Sequence, residues 1–150
     1  LVTGDASYKD LFLGNVGGCI GETCALALII GGVYLIIRGI ISPVTPVAFI
    51  GTVALLALVA GNDVIYNMLA GGLLLGAFFM ATDYVTTPIT GKGKLIFGIG
   101  CGLITFLIRQ FGSYPEGVSF SILLMNIVTP YIDRFTMTKP FGAKKEVGEK

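Results

Sequence analysis

Apolar residues run along this chain in five long blocks separated by short polar punctuation. A helix of about 20 residues crosses a bilayer core of roughly 30 Å, and the blocks fit that scale. The first extends from Ile20 to Ile37 (IGETCALALIIGGVYLII), with Glu22 near its start and Arg38 just past its end. The second begins at the Pro43/Pro46 pair and ends at Ala60, which puts both prolines in the first turn, where a helix tolerates them. The third is Ile65 to Thr82, closed by Asp83; the fourth, Leu95 to Ile108, is a short span of 14 residues that Lys92, Lys94 and Arg109 would lengthen by snorkelling outward. The fifth, Val118 to Ile132, is interrupted near its end by Pro130. The connections over 61–64 and 112–117 are rich in Gly, Asn, Asp, Ser and Pro, as tight turns between antiparallel neighbours require.

Composition points the same way. With 54% apolar and 13% charged residues and a mean hydropathy of +0.87, the chain reads as an all-α integral membrane protein of about five transmembrane helices. There is no His and there are three Cys, so a zinc, haem or iron–sulfur centre cannot be assembled from this chain alone. The net charge of +1 and the absence of a basic face interleaved with aromatics set nucleic-acid binding aside. None of the blocks reads as a secretory signal, and the start at Leu1 suggests a fragment or a processed chain.

Basic residues fix an expected orientation. Lys9 and Arg109 fall on the side of the N-terminal segment, whereas Arg38, Lys92, Lys94, Arg134, Lys139, Lys144, Lys145 and Lys150 fall on the other. The positive-inside rule therefore places the N-terminal end outside and the C-terminus in the cytoplasm. The expected organisation is an outer-side segment with a Gly-rich turn over 1–19, a five-helix transmembrane half-domain over 20–134 and a basic cytoplasmic tail over 135–150. Five helices recurring as an inverted second copy are common among transporters; no repeat of 20 to 50 residues occurs within this chain, so a partner copy would lie outside it.

Polar residues at the edges of the spans carry the candidate chemistry. In Gly14-Asn15-Val16-Gly17-Gly18-Cys19-Ile20-Gly21-Glu22-Thr23 the glycines cannot be an ordinary helix interior, since each costs about 1 kcal/mol relative to Ala. A Gly-rich turn feeding a helix N-terminus presents free N–H groups to phosphate, to flavin carbonyls or to an anionic neighbour. Close helix packing by Gly17 and Gly18, with Glu22 as a first-turn carboxylate, stands beside that reading. In Thr82-Asp83-Tyr84-Val85-Thr86-Thr87-Pro88, Pro88 biases Thr87 out of helix and frees backbone carbonyls. Together with Asp83 and the hydroxyls they suit a Na⁺ or proton site or a polar grip on a cofactor; the alternative is that Asp83 marks a helix end at the headgroup level. Tyr66, Asn67, Gly71, Gly72 and Gly76 share a span, and Gly98 and Gly102 recur four apart, a spacing typical of tight helix crossing. Cys101 reads as a small packing residue, and Cys19 and Cys24 lie off a common helix face. Residues 109–117 read as an outer loop with a rigid re-entry at Tyr114-Pro115, and Asn126, Thr129, Tyr131, Asp133 and Arg134 as an interfacial anchor.

Three stretches, LFLGNVGGCIGETCALALIIGGVYLIIR, FFMATDYVTTPITGKGKLIFGIGCGLITFLIR and FGSYPEGVSFSILLMNIVTPYIDR, carry a resemblance. In order from Leu11 to Arg134 they resemble the C-terminal half of the D-subunit family of Rnf-type ion-translocating ferredoxin:NAD oxidoreductase complexes. The homologous B subunit of the Na⁺-translocating NADH:quinone oxidoreductase is a more distant likeness. The resemblance implies a urea-transporter-like bundle of two inverted five-helix halves in a bacterial or archaeal cytoplasmic membrane. Such a subunit holds FMN, with riboflavin as a candidate second flavin, and relays electrons between ferredoxin and NAD while the complex and its other subunits move Na⁺ or H⁺. The family attaches FMN to a Thr in a Ser/Thr-Gly/Ser-Ala-Thr type motif; Thr3 in LVTGDAS is not that motif, and the attachment Thr is expected upstream of Leu1. Under the resemblance, Asn15, Gly17, Gly18, Gly21, Glu22 and Thr23 become candidate flavin contacts, and Asp83, Thr86 and Thr87 candidates for an ion path or second-flavin surroundings, with no catalytic residue and no metal ligand in this chain. A solute-transporter or channel half-domain without redox role, and a structural scaffold subunit, are the alternatives.

Overall fold

The computed structural model describes Phe12 and residues 24–69, 72–112 and 117–137. These form helices α1 (Ala25–Ile37), α2 (Val44–Val59), α3 (Val64–Leu69), α4 (Leu73–Leu75, continued by a π-helical turn, Gly76–Met80), α5 (Gly91–Phe111) and α6 (Gly117–Thr136). No strand occurs among the described residues.

Helix ends follow local chemistry. α1 closes with Gly39 at φ +68°, which lets the Gly39 N–H reach Ile36 O (2.9 Å) and the Ile40 N–H reach Leu35 O (3.0 Å). This double closure satisfies the carbonyls of Leu35 and Ile36 in the last turn. α2 starts directly after Pro43, with Pro46 buried in its first turn, as the sequence leads one to expect. The Asp63 carboxylate accepts the N–H groups of Ile65 (3.1 Å) and Tyr66 (3.4 Å) and so caps α3.

The third apolar block departs from the expected single span. α3 stops at Leu69, and the chain resumes helix at Leu73 after Gly72, which sits at φ +66°. A side chain in that left-handed conformation costs roughly 1–2 kcal/mol, so glycine makes the break cheap. Read as packing glycines, Gly71 and Gly72 concealed this interruption; residues 70 and 71 themselves lie outside the described residues.

The fourth block is longer than its apolar stretch. The Thr90 hydroxyl accepts the Gly93 N–H at 3.0 Å and caps a helix that includes Lys92 and Lys94 in its first turn. The result is 21 residues, long and apolar enough to cross a membrane, alongside the shorter apolar helices Ala25–Ile37 and Val44–Val59. Arg109 corrects a second expectation. It lies in the last turn of α5 rather than in a loop, and instead of snorkelling outward it turns to α3, donating to Asn67 O at 2.7 Å. Gln110 accepts from the Asn62 amide at 3.0 Å across the same end.

α5 packs against α2 on one side and α6 on the other. A Cβ on Gly98 would come within 2.7 Å of Ala48 Cβ and 2.9 Å of Thr45 O, and one on Gly102 within 3.0 Å of Phe49 O. The two backbones are in contact, and the glycines permit it. Beneath them Phe49, Val53, Phe97 and Cys101 are wholly buried, Cys101 as a small core residue. Between α5 and α6 the buried Thr105 and Ser121 hydroxyls pair at 2.7 Å, and Ser121 donates to Val118 O. Large apolar side chains face outward on these helices and on α1, among them Ile30, Val47, Leu58, Leu103, Leu123 and Ile127. Glycines and hydroxyls at the helix contacts, with bulky hydrocarbon turned outward, fit a surrounding solvent of lipid.

Candidate functional site

The π-helical turn borders a cleft. The Ala81 N–H bonds to Gly76 O, five residues back, at 2.7 Å, and the widened turn is accommodated because Gly76 and Ala77 are buried and small. Phe78, Phe79 and Met80 then line a cleft of about 520 Å³, walled by Leu35 and Ile41 on one side and Ile122 and Asn126 of α6 on another. Asp83 and Thr86 are among its polar lining residues.

The segment after the π turn is held by its own side chains. The Thr82 hydroxyl donates to Phe78 O at 2.6 Å. Asp83 accepts the Val85 N–H and the Thr86 hydroxyl, each at 3.4 Å. Those two contacts are at the outer limit of hydrogen bonding, and the carboxylate is exposed. The main-chain oxygen of Asp83 is occupied by both the N–H (3.3 Å) and the hydroxyl of Thr87. Asp83 O is thus satisfied within the turn, and the carbonyl that Pro88 leaves without a helical N–H is that of Tyr84, four residues before it. Further on, Asp133 of α6 accepts the Ile89 N–H at 3.1 Å and Thr90 pairs with Thr136 at 2.7 Å, so the segment is moored to the end of α6. Asp133 has a specific partner, which the reading of an interfacial anchor did not include.

Asn126 is the cleft residue that sequence reasoning did not place there. Its Oδ1 is buried and has no hydrogen-bond partner, a rare state for a buried acceptor. Pro130, inside α6 and four residues on, has no N–H to offer the Asn126 carbonyl. An Asn four residues before a Pro in an apolar run was the available signal. Asp83 and Thr86 bring a carboxylate and a hydroxyl to the cleft, with the Asn126 amide in its wall, and such oxygens are the donors that hard cations prefer.

The structure therefore brings Asp83 and Thr86 into one cleft. Thr87 lines a neighbouring one with Ser42, Thr45 and Lys94. The candidate flavin contacts Asn15, Gly17, Gly18, Gly21, Glu22 and Thr23 lie outside the described residues.

Comparison with known proteins bears on these readings, for residues 2–142 match the NQR2, RnfD, RnfE family. The chain belongs to that family. The D subunit of the Na⁺-translocating ferredoxin:NAD⁺ oxidoreductase complex of Acetobacterium woodii is 57% identical over 141 residues, covering 93% of this chain and 44% of that protein. Its counterpart in the proton-translocating ferredoxin:NAD⁺ oxidoreductase complex of Clostridium ljungdahlii is 51% identical over 147 residues, with 93% and 44% covered. The D subunit of the ion-translocating oxidoreductase complex of Stutzerimonas stutzeri is 41% identical over 150 residues, with 95% and 42% covered. The chain spans less than half the length of these curated relatives. The resemblance to the D-subunit family carried by the three sequence stretches holds. Two NQR2, RnfD, RnfE relatives of similar identity are named for different ions, so overall likeness does not select between Na⁺ and H⁺.

Proposed function

We propose that this chain is part of the membrane subunit of a redox-driven pump that couples electron transfer between ferredoxin and NAD to movement of Na⁺ or H⁺, working with the other subunits of the same complex. The observation that carries this reading is the family match over residues 2–142, supported by the names of the relatives. The outward apolar surface supports a place in the cytoplasmic membrane. The chain forms one half of a urea-transporter-like inverted pair, N-terminal end outside and basic tail in the cytoplasm.

In this reading the 520 Å³ cleft belongs to the ion path. Asp83 supplies the charge, Thr86 and Asn126 supply neutral oxygens, and Thr87 holds the turn that positions Asp83. The irregular backbone of the π-helical residues and of the turn after them, which line this cleft, supports this assignment, because non-helical backbone beside a cavity is where transporters place their ion sites. FMN is held through the outer turn that contains Asn15 to Thr23, with its covalent linkage outside this chain. When bound, flavin supplies the electron chemistry, and the protein's part is to position it and exclude water. Coupling requires that the redox state of the complex alter the affinity or access of the ion cleft.

The broken helix and its clefts also suit a solute path without redox role, and flavin separates the two readings. The test is to purify the complex containing the full-length polypeptide, separate its denatured subunits on a gel under ultraviolet light, and weigh this subunit intact. A fluorescent subunit carrying an added FMN mass is the expected result. A complex with no flavin, covalent or dissociable, sinks the redox reading and leaves the solute path.

A further inference from the structure

The second cleft lies between the α1–α2 turn and the first turn of α5, with a volume of about 260 Å³. Its chemistry is opposite to that of the first. No carboxylate lines it, and its one charged lining residue is Lys94. Lys94 is half-buried and has no hydrogen-bond or ion-pair partner among the described residues. Lys94 thus brings a positive charge to the cleft with no carboxylate in the lining to meet it.

Three further observations point the same way. Thr45 is 2% exposed, lines this cleft, and its hydroxyl has no partner among the described residues. The start of α2 borders the cleft through Ser42 and Thr45, and no side chain caps that helix; its free end carries about half a positive elementary charge. The hydroxyls of Thr82 and Thr87 have already given their protons to Phe78 and Asp83 main-chain oxygens, and the carbonyls ending α1 are closed by Gly39 and Ile40. The side-chain donors that remain available are the Lys94 ammonium and the hydroxyls of Ser42, Thr45 and Tyr84.

We propose that this cleft binds a phosphate-type oxyanion, with Lys94 as counter-charge and Thr45 and Ser42 as hydroxyl donors. A phosphoryl group offers several acceptor oxygens to donors converging from α2, α5 and the segment after α4, and its charge makes each of those bonds stronger than a neutral one. A cation is disfavoured by Lys94. The phosphate can come from a phospholipid headgroup or from a soluble phosphate, and the proposal does not depend on the redox reading.

The test uses the delipidated membrane complex containing the full-length polypeptide and two probes. Short-chain phosphatidylglycerol is titrated by native mass spectrometry of the complex, and radiolabelled inorganic phosphate by equilibrium dialysis. Wild type is expected to take up one probe saturably, Lys94→Gln to weaken it at least tenfold, Thr45→Val severalfold, and Lys92→Gln not at all. Saturable uptake of phosphatidylglycerol alone assigns a lipid headgroup, whereas saturable inorganic phosphate assigns a soluble ligand. The proposal is overturned if wild type binds neither probe saturably, or if Lys94→Gln and Thr45→Val both bind as wild type. Should Lys94→Gln fail to assemble, Thr45→Val, of matched shape, decides by the same criterion.

Discussion

The Arg109 guanidinium donates to the main-chain oxygen of Asn67 at 2.7 Å, joining the last turn of α5 to the broken end of α3. The bond gives that carbonyl a charged donor at the last turn of α3, whose end is at Leu69. A cation at a helix C-terminus also meets the negative end of its dipole. Hydrogen bonds to charged groups contribute about 1.5–3 kcal/mol, so Arg109→Met is expected to destabilise the protein by that order. A lowered thermal midpoint of the purified full-length protein checks it, and an unchanged midpoint removes Arg109 from the support of the break.

Gly98 and Gly51 make a matched pair. At Gly98 an added Cβ meets the α2 backbone at Thr45 O, which cannot swing away, whereas at Gly51 nothing lies within 4 Å. Overpacking costs about 1–3 kcal/mol, so Gly98→Ala should destabilise by that amount. Gly51→Ala, a change within a helix, should be neutral or stabilising by up to about 1 kcal/mol. Melting curves of the two variants side by side test this; equal effects would mean that α2 and α5 are not in backbone contact there.

Asp133 moors the segment between the π turn and α5 by accepting the Ile89 N–H at 3.1 Å. Asp133→Ala should therefore loosen residues 84–90 without unfolding the bundle. The expected signature is faster amide hydrogen exchange confined to that segment. Exchange as slow as in wild type would show that Thr90–Thr136 alone is sufficient.

Asn126 separates stability from function. Its buried Oδ1 has no partner, so replacement by leucine removes an unsatisfied acceptor, and the expected change in stability lies between zero and a gain of about 1 kcal/mol. Under the proposed ion path the same variant should lower ion transport per electron transferred. A clear loss of stability, with transport intact, would make Asn126 a packing residue.

Legibility in the sequence tracked how local the physics was. The end of α1 at Ile37, the start of α2 after Pro43 and the packing role of Gly98 and Gly102 could be read because each depends on neighbours within a turn or on helix periodicity. The break at Gly72 and the lengthening of α5 to 21 residues were hidden. Gly72 looks the same in sequence whether it packs a helix or ends one, and Thr90 becomes a cap only once the chain arrives there extended. The site divided along the same line. Asp83 and Thr86 are near neighbours in sequence and share a cleft, while Asn126 and Lys94 enter their clefts through tertiary packing that no local pattern announces.

The central claim is that the Asp83 cleft couples ion movement to electron transfer. The most direct test reconstitutes the purified complex in liposomes and measures ²²Na⁺ uptake and internal pH during ferredoxin-driven NAD reduction, for wild type and Asp83→Asn. The account predicts an assembled variant whose ion movement and coupled electron transfer both fall at least tenfold. Ion movement and electron transfer at wild-type rates in Asp83→Asn would contradict it and leave Asp83 as the organiser of a turn.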